Sequence, residues 1–563
     1  MFAERPTCTS PGRHRLGGGT LSSLIAAGLV ATPALSATPP TFDLRNVNGT
    51  NFMTSVKNQD GYGTCWCHGT MAAIESNLKV TGRWLAAGET DEPNLAEYHL
   101  DWWNGFNQYN NDDRDPPAGG GLEVHNGGDY RVATAYLTRG EGAVFCPAAN
   151  DGSQYDWPWL SPAPARSSSD YHLYYPRHIE WYTLGEGTQS IETIKAAIMQ
   201  NGAIGTCMYW LCNWTNDTAY QPPSDGNAPN HSIVIAGWDD NRVTPAPTNG
   251  AWLCKNSWGS GWCEGGYFWI SYYDKQCCRH PQMGAVSFRD VVLNTYDHIY
   301  YHDYHGWRDT MSASLAFNAF QALTNEQLAA VSFYTTTDGV AYTVSVFDDF
   351  DGSRVQGLRS GQTGWVERTG FHTVDLNAPV DLRPGQTFYI ALEFSAGGQA
   401  FDRTSTVDTL MNPKGTKARS ASKAAEPSAP EGGMPYDAAF FRTMGKVAAI
   451  QGIEVVSRAA GGESYYWSRG QWVDLTNFNS TANFCIKGLT WNRSLIAAMR
   501  AVPPATQLDV TSVSSGRTYR VQSATDLVTP AWSNEMTFVA TQTTATVSSA
   551  PGAAALKFFR VAR

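Results

Sequence analysis

The hydrophobic pattern of this chain changes at about residue 291, and this change constrains the fold more than any other feature. Before it, helical patterns at residues 65–79 and 191–201 stand beside short apolar runs such as residues 232–238. Helices and strands that do not alternate regularly are typical of an α+β domain. After it, short strands separated by turn residues, as at residues 331–335, predict a β-sandwich.

The 563 residues are more than one hydrophobic core normally serves, so several domains are expected. A Lys-, Ala-, Ser- and Pro-rich stretch at residues 413–435 predicts a disordered loop inside the β-sandwich. A further strand pattern follows Pro503 and Pro504. The predicted parts are a signal peptide at residues 1–37, an α+β domain at residues 38–290, a β-sandwich at residues 291–490 and a small β module at residues 505–563.

The first 37 residues have the layout of a secretion signal. Basic residues precede an uncharged stretch whose apolar centre is residues 24–30, and small residues at 34–36 offer a cleavage site. An uncleaved membrane anchor is the alternative for this stretch. We therefore expect a secreted, cell-surface or periplasmic protein. Of the 11 cysteines, Cys8 lies in the predicted signal peptide, and the other ten can form disulfides of open connectivity.

The segment at residues 59–66 has the composition that a thiol nucleophile requires. Cys65 begins the first predicted helix, and a helix N-terminus lowers the pKa of a thiol, as a nearby imidazolium does. Gln59 lies upstream in a loop with two Gly that can turn its amide N–H groups towards an oxyanion. Considered alone, a Cys before a helix is more often a buried structural residue.

Two later segments supply the partners that such a thiol needs. His231 precedes a predicted buried strand, and Asn256 begins the sequence Asn-Ser-Trp-Gly at residues 256–259. Considered alone, the His is more often structural and the Asn a turn residue. Together with residues 59–66, however, these segments resemble the active-site signatures of the papain family of cysteine peptidases.

The resemblance implies a papain-like α+β fold and a role for each matching residue. Cys65 corresponds to the nucleophile and His231 to the general base and acid, with Asn256 orienting the His231 ring. Gln59 and the Cys65 backbone N–H correspond to the oxyanion hole. Trp258 corresponds to the ring that shields the His–Asn hydrogen bond from water.

Another segment extends the resemblance and also departs from it. Gly127 and Gly128 correspond to the Gly pair that lines the substrate cleft and pairs with the substrate backbone. Tyr62 and His125 stand at the two positions where the family has the cysteines of one disulfide. Both cysteines of that disulfide are therefore replaced in this chain.

Cys67 and His68 replace a small residue and an aromatic residue of the family pattern directly after the signature. They leave the nucleophile unchanged, although Cys67 places a second thiol nearby. They also allow a metal site as an alternative to catalysis, although the sequence has no Cys-x-x-Cys pair to support such a site. This alternative is a metal site formed by Cys65, Cys67, His68, Cys277, Cys278 and His280.

Residues 291–490 resemble the lectin-like β-sandwich that follows some bacterial papain-like peptidases. The segments that carry this resemblance are residues 296–307, 370–374 and 485–487. It implies a glycan or cell-surface ligand. The last module is similar to C-terminal β-modules of secreted bacterial proteins, and its role stays open.

The sequence as a whole predicts a secreted cysteine endopeptidase that hydrolyses proteins or peptides through an acyl-thioester, without a metal or cofactor. The alternatives are transpeptidation and a catalytically inactive adhesin that binds carbohydrate or a cell surface. Nucleic acid is not an expected partner, because the net charge is −11. Residues 42–45 resemble the start of the family's mature domain, so we expect activity without removal of a long prosegment.

Overall fold

The computed structural model describes most of the chain from residue 38 onwards. The predicted signal peptide at residues 1–37 and the predicted loop at residues 413–435 lie outside the described residues. The described ranges are 38–111, 120–150, 154, 159–185, 190–409, 451–493, 495–502, 505–511, 518–524, 533–539, 544–549 and 558–562. Within these ranges, no helix is long and apolar enough to cross a membrane.

Helices and strands succeed each other irregularly up to Leu293, in agreement with the predicted α+β domain. The helices are α1 (Cys65–Val80), α2 (Arg83–Ala86), α3 (Glu97–Trp103), α4 (Tyr130–Thr138) and α5 (Ile191–Asn201). The strands are β1 (Thr41–Asp43), β2 (Val144–Phe145), β3 (His172–Trp181), β4 (Ile204–Met208), β5 (Asn213–Thr215), β6 (Thr218–Tyr220), β7 (His231–Asp239), β8 (Ala251–Lys255), β9 (Tyr267–Ser271) and β10 (Ala285–Leu293). The two predicted helices are confirmed as α1 and α5.

Helix α1 runs through the interior of this domain, and almost every one of its residues is buried. Its polar residues therefore need fixed partners. The Ser76 hydroxyl accepts a hydrogen bond from the Ala203 backbone N–H at 3.0 Å, and the Asn77 amide donates to the Asn201 carbonyl at 2.8 Å. Between these partners lies Gly202, which ends α5 as predicted and has a φ of +91°.

The chain beyond Leu293 continues as strands, which confirms the predicted β-sandwich. The strands are β11 (His298–Tyr300), β12 (Asp309–Met311), β13 (Leu315–Gln321), β14 (Glu326–Thr335), β15 (Val340–Phe350), β16 (Val355–Val366), β17 (Gly370–Leu382), β18 (Thr387–Phe394), β19 (Gln399–Asp402), β20 (Ser405–Thr409), β21 (Gln451–Val455), β22 (Ser464–Ser468), β23 (Gln471–Asp474), β24 (Asn483–Phe484) and β25 (Ile486–Asn492). One sheet has the order β16-β15-β18-β13-β22-β23. Apolar residues of this sheet, such as Val344 and Ile390, share a buried core with Phe333 and Ile486 of the facing strands.

The facing strands of the sandwich belong to a sheet that also contains the strands of the α+β domain. Among the described residues this sheet has 14 strands, with the main order β11-β25-β14-β17-β3-β10-β4-β7-β8-β9-β6-β5. The junction is the antiparallel pairing of β3 with β17, in which Ile179 lies opposite Phe371. Gly370 permits this approach, because a Cβ atom there would lie 2.0 Å from the Ile179 carbonyl oxygen.

The last part of the chain forms two small sheets from the strands that the structure describes there. Their orders are β26-β27-β30 and β29-β28-β31. The strands are β26 (Leu495–Val502), β27 (Ala505–Thr511), β28 (Thr518–Ala524), β29 (Ser533–Val539), β30 (Thr544–Ser549) and β31 (Phe558–Ala562). Because β26 pairs with β27, these sheets begin before the predicted module start at residue 505.

Candidate active site

The loop before α1 is tied to two other segments of the site. The Gln59 backbone N–H donates to the Ser257 carbonyl at 2.8 Å, next to Asn256. The Gly63 N–H donates to the His125 carbonyl at 2.7 Å, and the Gly127 N–H donates to the Gly63 carbonyl at 2.9 Å. These hydrogen bonds fix the position from which α1 begins.

Cys65 is the first residue of α1 and is 1% exposed. Its Sγ atom accepts a hydrogen bond from the Ser232 backbone N–H at 3.5 Å, so the thiol lies beside the residue that follows His231. Burial raises the pKa of Cys65 to about 11, whereas hydrogen bonds from the backbone at Ser232, Trp66 and Cys65 and from the Gln59 side chain lower it. The site therefore supplies hydrogen-bond donors that stabilise a thiolate at Cys65, whereas burial there disfavours a charged group.

His231 is the first residue of β7 and is 1% exposed. Its Nε2 atom lies 2.7 Å from the Asn256 Oδ1 atom, which also accepts the Ser257 backbone N–H at 2.8 Å. Because a carbonyl oxygen only accepts, Nε2 carries the proton, and Nδ1 of the neutral ring is an acceptor. Nδ1 is buried and has no hydrogen-bond partner among the described residues.

Burial lowers the pKa of His231 to about 4, whereas the hydrogen bond to Asn256 raises it. Burial thus opposes an isolated charge on either Cys65 or His231. Transfer of the thiol proton to Nδ1 creates both charges together, and each then stabilises the other. The arrangement suits a thiol paired with a base.

Aromatic rings cover the His231–Asn256 hydrogen bond. The Trp258 ring stacks on the His231 ring, with centroids 4.6 Å apart and planes at 22°. Trp210 packs edge-on against Trp258 at 4.3 Å and lies 6.1 Å from the His231 ring. Sequence reasoning missed Trp210, because it lies in no signature and reaches His231 only through the pairing of β4 with β7.

The Gln59 side chain is held at both ends. Its Oε1 atom accepts the Ser257 hydroxyl at 2.5 Å, and its Nε2 atom donates to the Tyr62 carbonyl at 2.7 Å. An amide nitrogen carries two hydrogens, so one remains for a group beside Cys65. This placement fits the predicted oxyanion donor.

Gly127 and Gly128 lie against the beginning of α1. Gly127 has a φ of +100°, which favours glycine. A Cβ atom at Gly128 would lie 2.4 Å from the Trp66 ring. Both residues are therefore needed to pack this segment beside the signature, and their contact with substrate stays a prediction.

Tyr62 and His125 meet at the position of the missing disulfide. Their rings lie 5.4 Å apart in an edge-to-face arrangement, and the His125 Nδ1 atom lies 2.5 Å from the Asp101 carboxylate. The neighbouring residues Gly63 and Asn126 are paired through the backbone. Ring contact and backbone hydrogen bonds therefore join the two segments.

The alternative metal site finds no support. In the part of the chain that the structure describes, no group of three or more His, Cys, Asp or Glu residues could hold a metal ion. The described cysteines are all free thiols, and the Cys277 and Cys278 sulfurs lie 3.9 Å apart. Cys67 is fully buried, and burial raises the pKa of its thiol well above the usual value.

Comparisons with known proteins agree with this architecture. The model of the papain family of cysteine proteases matches residues 38–91 and 165–287, and the model of a lectin-like domain matches residues 299–426. Cysteine proteinase A of Leishmania mexicana is 25% identical over 237 residues, which are 40% of this chain and 54% of that protein. Pro-cathepsin H of Bos taurus is 25% identical over 245 residues, which are 42% of this chain and 62% of that protein. The chain thus spans less than two thirds of these relatives.

A solved structure has the same succession of two domains. It contains the cysteine protease and lectin-like domains of Cwp84, a surface layer associated protein of Clostridium difficile. The likeness has a TM-score of 0.56 at 21% identity and covers 81% of this chain and 90% of that chain. The chain therefore carries a papain-family cysteine protease domain followed by a lectin-like domain.

Proposed function

We propose that this chain is a secreted cysteine endopeptidase that uses Cys65, His231 and Asn256. The observation that carries the proposal is the orientation of His231. Its Nε2–H is engaged by Asn256 at 2.7 Å, which leaves Nδ1 as the base. The thiol it would serve is Cys65 at the start of α1, whose Sγ atom accepts the N–H of Ser232, next to His231. The surface-layer association of Cwp84 and the predicted signal peptide support a location outside the cytoplasm.

Acylation begins when the Cys65 thiol gives its proton to His231 Nδ1 and its sulfur attacks the carbonyl carbon of a peptide bond. The carbonyl oxygen becomes an oxyanion, which the Cys65 backbone N–H and the second Gln59 Nε2–H, the one not bonded to Tyr62, stabilise. When the C–N bond breaks, the leaving amine takes the proton from Nδ1. The acyl group then remains on sulfur as a thioester.

Deacylation repeats these steps with water as the nucleophile. His231 Nδ1 accepts a proton from water, whose oxygen attacks the thioester carbonyl. The C–S bond breaks, and the proton returns to the sulfur of Cys65. Asn256 holds the ring throughout, so that Nδ1 faces the reacting atoms in both halves of the reaction.

The test is labelling of the chain by an active-site epoxide together with digestion of a peptide library. Wild type should be labelled at Cys65 and cleave peptides, whereas Cys65→Ala should do neither while keeping the same melting temperature. Cys67→Ala is the matched control, because it removes a thiol on the same helix and should keep activity. Cleavage by Cys65→Ala, or folded wild type without labelling or cleavage, would reject the proposal and favour the inactive adhesin.

A groove in the lectin-like domain favours a second function, the binding of an acidic glycan. The groove has a volume of about 800 Å³ and contains the side chains of Arg359, Arg383 and Arg493, which come from separate segments. Guanidinium groups suit carboxylate and phosphate ligands, because they offer paired N–H donors. Such a cluster stands out in a chain whose net charge is −11.

Two of these arginines are held by carboxylates. Arg493 donates to Asp381 at 2.9 Å, and Arg359 donates to both oxygens of Asp348 at 3.0 Å. Arg383 is exposed and has no ion-pair partner among the described residues. Its guanidinium is therefore the group most available to an anionic sugar.

The glycan proposal is tested with the Cys65→Ala chain, which avoids self-cleavage. A uronic acid polymer should bind, a neutral glucan should not, and Arg383→Ala should weaken binding about tenfold or more. Arg354→Ala is the control, since Arg354 is exposed on the same domain but does not line the groove. Equal binding of neutral and acidic polymers, or no effect of Arg383→Ala, would contradict the proposal.

A further inference from the structure

A small cavity lies behind Asn256, between α1 and the strands β7 and β8. Its volume is about 20 Å³, which is enough for one water molecule. The residues that line it from α1 are His68, Gly69, Ala72 and Glu75, which share one face of the helix. Asn256 lines it from the opposite side.

His68 contributes an acceptor to this cavity. Its ring is 4% exposed, and its Nδ1 atom lies 3.0 Å from the Thr64 carbonyl oxygen. The carbonyl only accepts, so Nδ1 carries the proton and Nε2 is a bare acceptor. Nε2 is buried without a hydrogen-bond partner among the described residues. Burial lowers the pKa of His68 to about 3, so the ring stays neutral.

Glu97 contributes a second acceptor. Its Oε1 atom accepts from the Lys57 ammonium at 2.7 Å, whereas its buried Oε2 atom has no hydrogen-bond partner within the described ranges. Glu97 lines the same cavity. Burial raises the pKa of Glu97 to about 7, so Oε2 is an acceptor above that pH. A buried carboxylate oxygen without a donor costs free energy, so a donor is expected there.

Two donors complete the surroundings. The Oδ1 atom of Asn256 is engaged by His231, but its buried Nδ2 atom has no hydrogen-bond partner among the residues described. The Lys255 ammonium donates to the Thr54 hydroxyl at 3.0 Å and has further N–H groups. Lys255 also lines the cavity.

We infer that the cavity binds one water molecule and that His68 is a positioning residue for catalysis. Water has two hydrogens and two lone pairs, which match two acceptors and two donors. It donates to His68 Nε2 and Glu97 Oε2, and it accepts from Asn256 Nδ2 and Lys255 Nζ. The inference rests on the proposed peptidase function for its kinetic consequence, but the water site itself does not depend on that function.

The acceptor on His68 decides how this water is oriented. Because both water hydrogens are taken by His68 and Glu97, a lone pair faces the Asn256 amide nitrogen. This fixes the amide with its oxygen towards His231, as catalysis requires. An aromatic residue in place of His68, as in the family pattern, would fill the space but supply no acceptor.

The structural test is a crystal structure of the full chain at about 1.5 Å resolution. Density for one water should lie within hydrogen-bonding distance of His68 Nε2 and Asn256 Nδ2, and it should shift or vanish in His68→Phe. Density that contacts neither atom in wild type would overturn the water site, whether or not the protein is a peptidase.

The kinetic test is a double-mutant cycle with peptide substrate. His68→Phe should lower kcat about three- to tenfold with KM unchanged, and His68→Gln, which keeps an acceptor, should recover most of the loss. In the Asn256→Ala background, His68→Phe should have no further effect, because the amide it positions is gone.

The control is His99→Phe, which removes another buried neutral histidine on α3 and should leave kcat unchanged. An equal loss of kcat with and without Asn256 would show a general structural effect and overturn the positioning role. Wild type that fails epoxide labelling would reject the peptidase function instead, and the crystallographic result would still decide the water site.

Discussion

At the scale of single residues, the surroundings of two neighbouring thiols give them different chemistry. Cys65 accepts a backbone hydrogen bond from Ser232, the residue that follows His231. Cys67 is also buried, and burial and the charges of Asp101 and Glu97 raise the pKa of its thiol well above the usual value. Because the thiolate is the reactive form of cysteine, these surroundings favour Cys65 over Cys67 as the proposed nucleophile.

His231 and Asn256 should differ in how much activity they control. His231→Ala removes the group that moves the proton, and kcat/KM should fall by about 10²–10⁴. Asn256→Ala removes one hydrogen bond to a ring that becomes charged, so a smaller loss of about 10–100-fold is expected. Steady-state kinetics on folded variants measures both. Wild-type activity in Asn256→Ala would remove Asn256 from the site.

Much of this candidate site could be predicted from the sequence, because the proposed catalytic residues stand in short signatures. The structure brings Gln59, Cys65, His231 and Asn256 together as expected. Trp210 and the cavity behind Asn256 could not be predicted. They are formed by strands and helices that are far apart along the chain, and local sequence patterns do not show which of these elements are in contact.

At the scale of elements, the start of α1 depends on a close approach between two segments. Gly128→Ala would place a methyl group 2.4 Å from the Trp66 ring. The ring or the helix must then move, and we expect a loss of about 1–3 kcal/mol in the free energy of unfolding. Denaturant unfolding measures this loss.

The matched control for this change is Gly226→Ala, since nothing lies within 4 Å of a Cβ atom there. It should leave the free energy of unfolding nearly unchanged. Because Trp66 is adjacent to Cys65, Gly128→Ala should also lower kcat/KM. A Gly128→Ala protein as stable and active as wild type would show that the segment relaxes without moving α1.

Helix α1 and strand β3 show what the sequence can and cannot specify at this scale. Helix α1 is marked by its own periodicity, and the predicted end at residue 79 differs little from the observed end at Val80. No sequence pattern indicated that strand β3 joins the two domains. Its position follows from pairing with β10 on one side and β17 on the other, which depends on distant residues.

At the scale of the whole molecule, buried neutral histidines should make the protein sensitive to acid. Burial lowers the pKa of seven histidines to between about 2 and about 4. These are His68, His99, His178, His231, His280, His305 and His372. Unfolded histidines bind protons below a pH of about 6.5. Between these values the unfolded state binds more protons, so stability must fall as the pH falls.

Each such histidine contributes a slope of about 1.4 kcal/mol per pH unit in this window. Carboxyl groups whose pKa values are raised act in the opposite direction and offset part of this slope. They are Glu97, at about 7, Asp402, at about 6, and also Asp129, Glu264, Asp274 and Asp303. We therefore expect the melting temperature to fall steeply from pH 6.5 to pH 4.5. His99→Gln should flatten this fall, and a constant melting temperature over the window would contradict the assignment of neutral buried rings.

The continuous sheet makes the peptidase and lectin-like domains one folding unit. Strand β3 of the peptidase domain is hydrogen-bonded on one edge to β17 of the lectin-like domain. The Tyr175 hydroxyl lies 3.1 Å from the Ser332 hydroxyl and 3.0 Å from the Thr373 hydroxyl across this boundary. Removal of the lectin-like domain would leave these polar groups unpaired and open an edge of the sheet.

A chain that ends after Leu293 should therefore be aggregation-prone, with a lower melting temperature than the full chain. A chain that ends after Arg493 is the control, because it keeps β25 and thus every strand of the shared sheet. The melting temperature of this longer fragment should be nearly that of the same domains in the full chain. The fragment should also keep peptidase activity. Calorimetry and light scattering distinguish the two truncations. A soluble, active fragment ending at Leu293 with an unchanged melting temperature would show that the peptidase domain does not need its neighbour.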